Sequence, residues 1–370
     1  MTRAEPRLGK VRGVTAPLDL DGDVVALLRR LVDLESVSGN ETPIADAVED
    51  ALRSYAHLEV IRDGNVVIAR TDLGRAERVV IAGHLDTVPI ADNVPSWTTE
   101  VDGRELVWGR GACDMKGGVA VQLVVAAAAV QPSRDVTWIF YDNEEVEESR
   151  NGLARIGREH PDYLAADFAV LCEPTSAAIE GGCQGTMRLE VRLSGRAAHS
   201  ARSWMGHNAI HDAGAVLQRL TAYEAAEVEV DGLTYREGLN AVGISGGIAG
   251  NVIPDRCTIE VNYRYAPDKT PAEAEAHLRS VFAGLDVEVT DHAAAARPGL
   301  DEPAAQQFLA AVGGRPRAKF GWTDVARFSA MGVPAVNFGP GNPSKAHADD
   351  EHCPAAEVYA CRDALVSWLS

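Results

Sequence analysis

Histidine and carboxylate side chains recur in this sequence where apolar runs end, and a hydrolytic metal site needs that combination. The stretch "VVIAGHLDTVP" (Val79 to Pro89) carries an apolar run into His84 and Asp86 and breaks at Pro89. Asp114 lies in "GRGACDMKGG", a glycine-rich turn before a helix. Glu144 and Glu145 follow "VTWIFYDN", Glu173 follows "FAVLC", and His347 lies in "GPGNPSKAHADDE" after "PAVNF". Singly, each has a plainer explanation. A lone histidine is more often a core or surface group, an acidic pair is usually a solvated face, and Asp114 could cap the helix starting near Lys116. Together they supply two imidazoles and several carboxylates at successive strand ends. Carboxylates can bridge two cations, imidazoles suit Zn²⁺, and one further carboxylate can stay free as a base.

Three rival motifs carry less. "GISGG" (Gly243 to Gly247) has the spacing of a serine-hydrolase elbow, but turn and strand residues follow it where the elbow needs a helix. "GRGACDMKGG" lacks the residue order of a phosphate-binding loop. Cys113 has no neighbour in sequence that would lower its pKa, so a structural thiol is the better reading.

The elements that would position these groups alternate. An amphipathic helix is expected over Val24 to Asp33. A capping box, Ser38 to Glu41, should open another over Pro43 to Tyr55. Strand-like runs "LEVIRDGNVVIAR", "RVVIAG", "DVTWIFYD" and "DFAVLCEP" alternate with helical segments. The expected fold class is therefore α/β, with a mixed, mostly parallel sheet flanked by helices. From about Gly182 the pattern changes. "TMRLEVRLSG", "LNAVGISGG", "RCTIEVNYRYAP" and "DVEVTDHA" read as strands, with helices between them, which implies an inserted α+β unit over 183–293. The α/β pattern resumes from about Ala294, so one domain should comprise 1–182 and 294–370. Residues 1 to 17 look like a frayed arm.

Composition narrows the partners. The formal charge is 35 − 54 = −19, which argues against nucleic acid and anionic membrane surfaces as partners. An anionic substrate then needs a local positive site. The N-terminus has no apolar leader-like segment, and the longest apolar run, Val119 to Val130, is too short to span a bilayer. Six cysteines without paired spacing suit a reducing cytoplasm.

The series "GHLDTVP", "GRGACDMKGG", "DNEEV", "CEPT", "AAHSARSWMGHNA" and "GPGNPSKAHADDE" resembles the motifs of the M20 family of metallopeptidases and amidohydrolases, from about Leu20 to the C-terminus. The resemblance implies a zinc-peptidase-like catalytic domain with a lid that pairs two subunits as a homodimer. It implies two Zn²⁺ per subunit, with Co²⁺ or Mn²⁺ an option in one site. His84 and Glu173 would hold one ion, Glu145 and His347 the other, and Asp114 both, beside a peptide bond that is often cis in this family. Asp86 would accept a hydrogen bond from the His84 ring, Glu144 would be the general base, and His199 would reach over from the partner subunit to the oxyanion, with His207 a weaker substitute.

"EGGCQGTMR", "DGLTYREGL", "AGNVIPD" and "KFGWTDVARF" are most similar to actinobacterial members that hydrolyse N-succinyl-LL-2,6-diaminopimelate to succinate and LL-2,6-diaminopimelate. Acetylornithine deacetylases, aminoacylases and dipeptidases share the implied metal site. Arg264, Asn251, Thr323 and Asn342 are the implied substrate holders. One departure stands out: Cys183-Gln184 occupies the place where proteobacterial relatives carry an arginine pair, and Arg202 or Lys319 is the expected replacement.

Overall fold

A computed structural model describes residues 17–370. All but the last residue of the expected arm therefore lies outside the described residues.

An eight-stranded mixed sheet forms the main layer. At its centre Asp135–Tyr141, Arg78–His84, Phe168–Leu171 and Ala335–Asn337 run parallel. Their residues alternate between two cores. Val79 and Ile81 join one, while Val80 and Ala82 join the other. A strand covered on both faces reads as a continuous apolar run, which is what these sequences show. One face is covered by the helices Val24–Val32, Thr42–Leu52, Lys116–Ala128, Pro303–Val312 and Ala355–Leu369. Gly152–Glu159 and Val325–Ala330 cover the other. Because the four central strands are parallel, their carboxyl ends share one edge, where α/β sheets open a crevice for ligands.

A separate four-stranded antiparallel sheet runs Gly238–Gly246, Arg256–Tyr265, Gly185–Ser194, Asp286–Ala293. Two helices, Ala209–Thr221 and Pro271–Val281, close its core on one face. Within the stretch expected as the lid, one hairpin packs elsewhere: Glu227–Val230 with Leu233–Arg236 buries Val230, Leu233 and Tyr235 in the main core.

The expected capping box does not form. The helix starts at Thr42 with Glu41 at its cap and no side-chain cap bond. The Ser38 hydroxyl donates instead to Asp86 at 2.7 Å, and Glu41 accepts the N–H groups of Gly39 and Asn143. Ser245 lies in the strand Gly238–Gly246, not at an elbow.

Candidate metal centre

The edge formed by the parallel strands gathers the sequence-predicted groups. His84 ends its strand, Glu144 and Glu145 follow Tyr141, Glu173 follows Leu171, and His347 sits on the long loop after Asn337. Asp114 comes from the turn before Lys116–Ala128, and its peptide bond to Met115 is cis. Ligating atoms of His84, Asp114 and Glu173 lie within 4.8 Å of one another, as do those of Asp114, Glu145 and His347, so Asp114 belongs to both clusters. His84 also clusters with Glu144 and Glu145.

The donor set fits two cations. His84 Nε2 stands 3.1 Å from Asp114 Oδ1, and His347 Nε2 stands 3.0 Å from Glu145 Oε1 and 3.5 Å from Asp114 Oδ2. Ligands bound at zinc distances around a tetrahedron are separated by roughly 3.3 Å. Imidazole and carboxylate without thiolate is also the mixed set that zinc, cobalt and manganese accept. Cys113 is buried and its thiol donates to the Asn342 carbonyl, while burial raises its pKa well above the thiol range.

Asp86 organises the edge differently from the sequence expectation. The Nδ1 of His84 donates to the Asp86 main-chain carbonyl at 3.0 Å, with the carboxylate further off at 3.5 Å. A carbonyl only accepts, so Nδ1 carries a proton and Nε2, which faces Asp114, is the nitrogen left to bind a cation once it is deprotonated. The Asp86 carboxylate accepts the N–H groups of Glu144 and Glu145, at 3.0 and 3.1 Å. It therefore sets the backbone from which both glutamates project.

Charge is concentrated here. Burial opposes the charged His84 ring, but Asp114 and Asp86 outweigh it and hold its pKa well above the usual range. Asp114 and Glu145 raise His347 to about 10. Burial raises Glu144 well above the carboxylate range, with Glu173, Asp324 and Glu145 adding to it and His84 opposing. Burial also brings Glu173 to about 7. Such crowding of buried acids between imidazoles is the environment that divalent cations neutralise.

A cleft of about 1020 Å³ opens beside Glu144 and Glu145, roofed by the open face of the four-stranded sheet, and Arg188, Arg264, Trp322 and Arg327 line it. Arg327 is tied to Glu148 and Asp324. Arg264 is half-buried and has no ion-pair partner among the described residues. The other expected substrate contacts are placed less directly. The Thr323 hydroxyl donates to Asn337, and the Asn342 side chain accepts from Ser344. Lys319 is buried against the Pro174 carbonyl and Glu180, and Arg202 does not line the cleft of its own chain. Gln184 donates to the Arg236 carbonyl and Cys183 to that of Thr323. His199 and Asn251 lie side by side on the surface of the unit built on the four-stranded sheet, where Ser200 N–H donates to the Asn251 carbonyl, and do not line the cleft of their own chain. His207 pairs with Asp212.

Sequence reasoning missed Ser38, Arg110, Arg188 and Glu351. Most of their partners are remote in sequence; Arg188, which stands 3.9 Å from Asp291 and lines the cleft, lies in the alternating strand Gly185–Ser194, and that alternation is the one signal that could have drawn notice.

The model of peptidase family M20/M25/M40 matches residues 80–370. The chain is 54% identical over 355 residues to a provisionally named succinyl-diaminopimelate desuccinylase of Mycobacterium tuberculosis, covering 95% of this chain and 99% of that protein. It is 48% identical over 364 residues to the succinyl-diaminopimelate desuccinylase of Corynebacterium glutamicum, covering 95% and 98%. Among solved structures, a tripeptidase from Staphylococcus aureus aligns with a TM-score of 0.77 at 20% identity, over 95% of this chain and 98% of that one.

Proposed function

The chain belongs to peptidase family M20/M25/M40, and on that footing we propose that it is a dinuclear metal amidohydrolase that cleaves N-succinyl-LL-2,6-diaminopimelate to succinate and LL-2,6-diaminopimelate. The observation that carries the chemistry is the pair of ligand clusters that share Asp114, with Glu144 beside them. The names of the two relatives, matched over nearly their whole length, supply the substrate.

His84 and Glu173 would hold one ion, Glu145 and His347 the other, and Asp114 both; zinc is our reading, with cobalt or manganese an option in one site. Two cations held there would supply Lewis acidity and ease deprotonation of a water at neutral pH. The residues do the rest. Glu144 takes a proton from the attacking water and returns it to the leaving amine nitrogen, a task that suits a carboxyl whose pKa burial has raised. Arg264 offers an unpaired guanidinium fork to a substrate carboxylate. His199 accepts the Ala201 N–H on Nδ1 at 3.1 Å, which places its own proton on Nε2 as a donor for an oxyanion. Because His199 does not line its own cleft, we assign it to the partner's cleft in a homodimer. The six cysteines are all buried and unpaired, which favours a reducing cytoplasm, and no described helix is long and apolar enough to cross a membrane.

Assaying the metal-loaded protein with N-succinyl-LL-2,6-diaminopimelate and N-acetylornithine side by side tests the substrate. We expect turnover of the succinyl compound. Turnover of the acetyl compound alone would assign the same chemistry to a different acyl group.

A further inference from the structure

We propose that Glu351 is a positioning residue of the metal centre, whose buried carboxylate, neutralised by Arg110, fixes the backbone that presents Asp114. This rests on the reading of Asp114 as the ligand shared by both cations.

Glu351 is 1% exposed. Its Oε1 accepts the N–H of Cys113 at 3.0 Å and that of Asp114 at 3.1 Å, and its Oε2 accepts from Arg110 Nη1 at 2.8 Å. Arg110 also donates to the carbonyls of Pro89 and Ala348, at 3.0 and 3.1 Å. The Glu351 carbonyl takes the Gly109 N–H at 3.1 Å. One ion pair thus binds three segments together: the loop after His84, the turn that carries Asp114, and the loop that carries His347.

A shared ligand has to satisfy two cations at once, so an error in its backbone reaches both. A buried carboxylate is stable only when its oxygens are compensated, and here two amide donors and a guanidinium do so. Glutamine has the same shape, but its NH₂ group must face either the two N–H groups or the guanidinium, donor against donor. Glu351→Gln therefore loosens one half of the arrangement without emptying the space.

The test titrates metal-depleted wild type, Glu351→Gln and Arg110→Lys with Zn²⁺ against a chromophoric chelator, and records melting temperatures with and without zinc. Glu351→Gln should weaken zinc binding about 10- to 100-fold, the range for residues that orient metal ligands. Its zinc-induced rise in melting temperature should shrink accordingly. Arg110→Lys keeps the charge and loses the fork, and should weaken binding in the same direction by less. If Glu351→Gln does not fold, Arg110→Lys decides. A fall in the melting temperature of the metal-free variants with zinc affinity unchanged would overturn the proposal and leave Glu351 a purely structural residue. Wild type that binds fewer than two zinc ions would remove the shared ligand and the proposal with it. The readout involves no amide substrate, so a wrong substrate leaves it standing.

Discussion

At the residue scale, the account makes Glu144 the group that moves the proton. Glu144→Gln should lose about 10²- to 10⁴-fold in kcat, the usual contribution of a positioned base, while still binding two zinc ions per chain. Steady-state rates and metal analysis of the same sample check both halves. The imidazoles make a second prediction. In the metal-free protein His84 and His347 have raised pKa values, so both carry protons at neutral pH and must lose them to become ligands. Zinc uptake should therefore release protons, and affinity should fall as pH falls. Calorimetry in two buffers of different ionisation enthalpy measures the release, and zinc binding at pH 7 with no proton released would contradict it. The groupings around Asp114 were legible because each member follows an apolar run or a glycine turn. Ser38 and Glu351 were not, because they act on partners 48 and 237 residues away. Thr323 and Asn342 have the right residue types for substrate contact, but type does not reveal that Asn337 and Ser344 already engage them.

At the element scale, the centre depends on how closely the helix Lys116–Ala128 approaches the strand end before Glu173. A Cβ on Gly118 would lie 2.1 Å from the Cys172 carbonyl oxygen, which is backbone and has little room to move. Gly118→Ala should cost about 1–3 kcal/mol by overpacking, seen as a lower urea midpoint. It should also weaken metal binding, because Glu173 is the next residue; an unchanged midpoint would show that the helix can shift freely. The central strands were readable because both faces are buried. The small sheet of Trp97–Val101, Arg104–Trp108 and His352–Pro354 was not. Its first strand is exposed throughout, and its last is three residues long and joins from the far end of the chain. The hairpin over 227–236 shows the same limit. Its alternation marks strands, but nothing in that alternation says that they pack on the main core.

At the scale of the whole molecule, the four-stranded sheet leaves Gly238–Gly246 as an edge strand with Val242 62% and Ile244 56% exposed, near the exposed Ile248. An apolar open edge invites pairing with a second copy. Sedimentation should therefore give twice the chain mass of 39.4 kDa, and Ile244→Lys should shift it toward the monomer with loss of activity. Mixing inactive His199→Ala and Glu144→Ala subunits should restore about a quarter of wild-type activity if each cleft needs the partner's histidine, since random exchange makes half the dimers hybrid with one complete site. No recovery after subunit exchange would return His199 to its own chain. The central claim, that two cations and Glu144 hydrolyse the succinyl amide, is tested most directly by titrating metal-depleted protein with zinc while following amine release from N-succinyl-LL-2,6-diaminopimelate. Metal-dependent hydrolysis predicts no turnover without metal, a plateau at two equivalents per chain, and turnover lower by about 10²-fold or more at every zinc level in Glu144→Ala. Full activity in the metal-free protein, or in that variant, would contradict it.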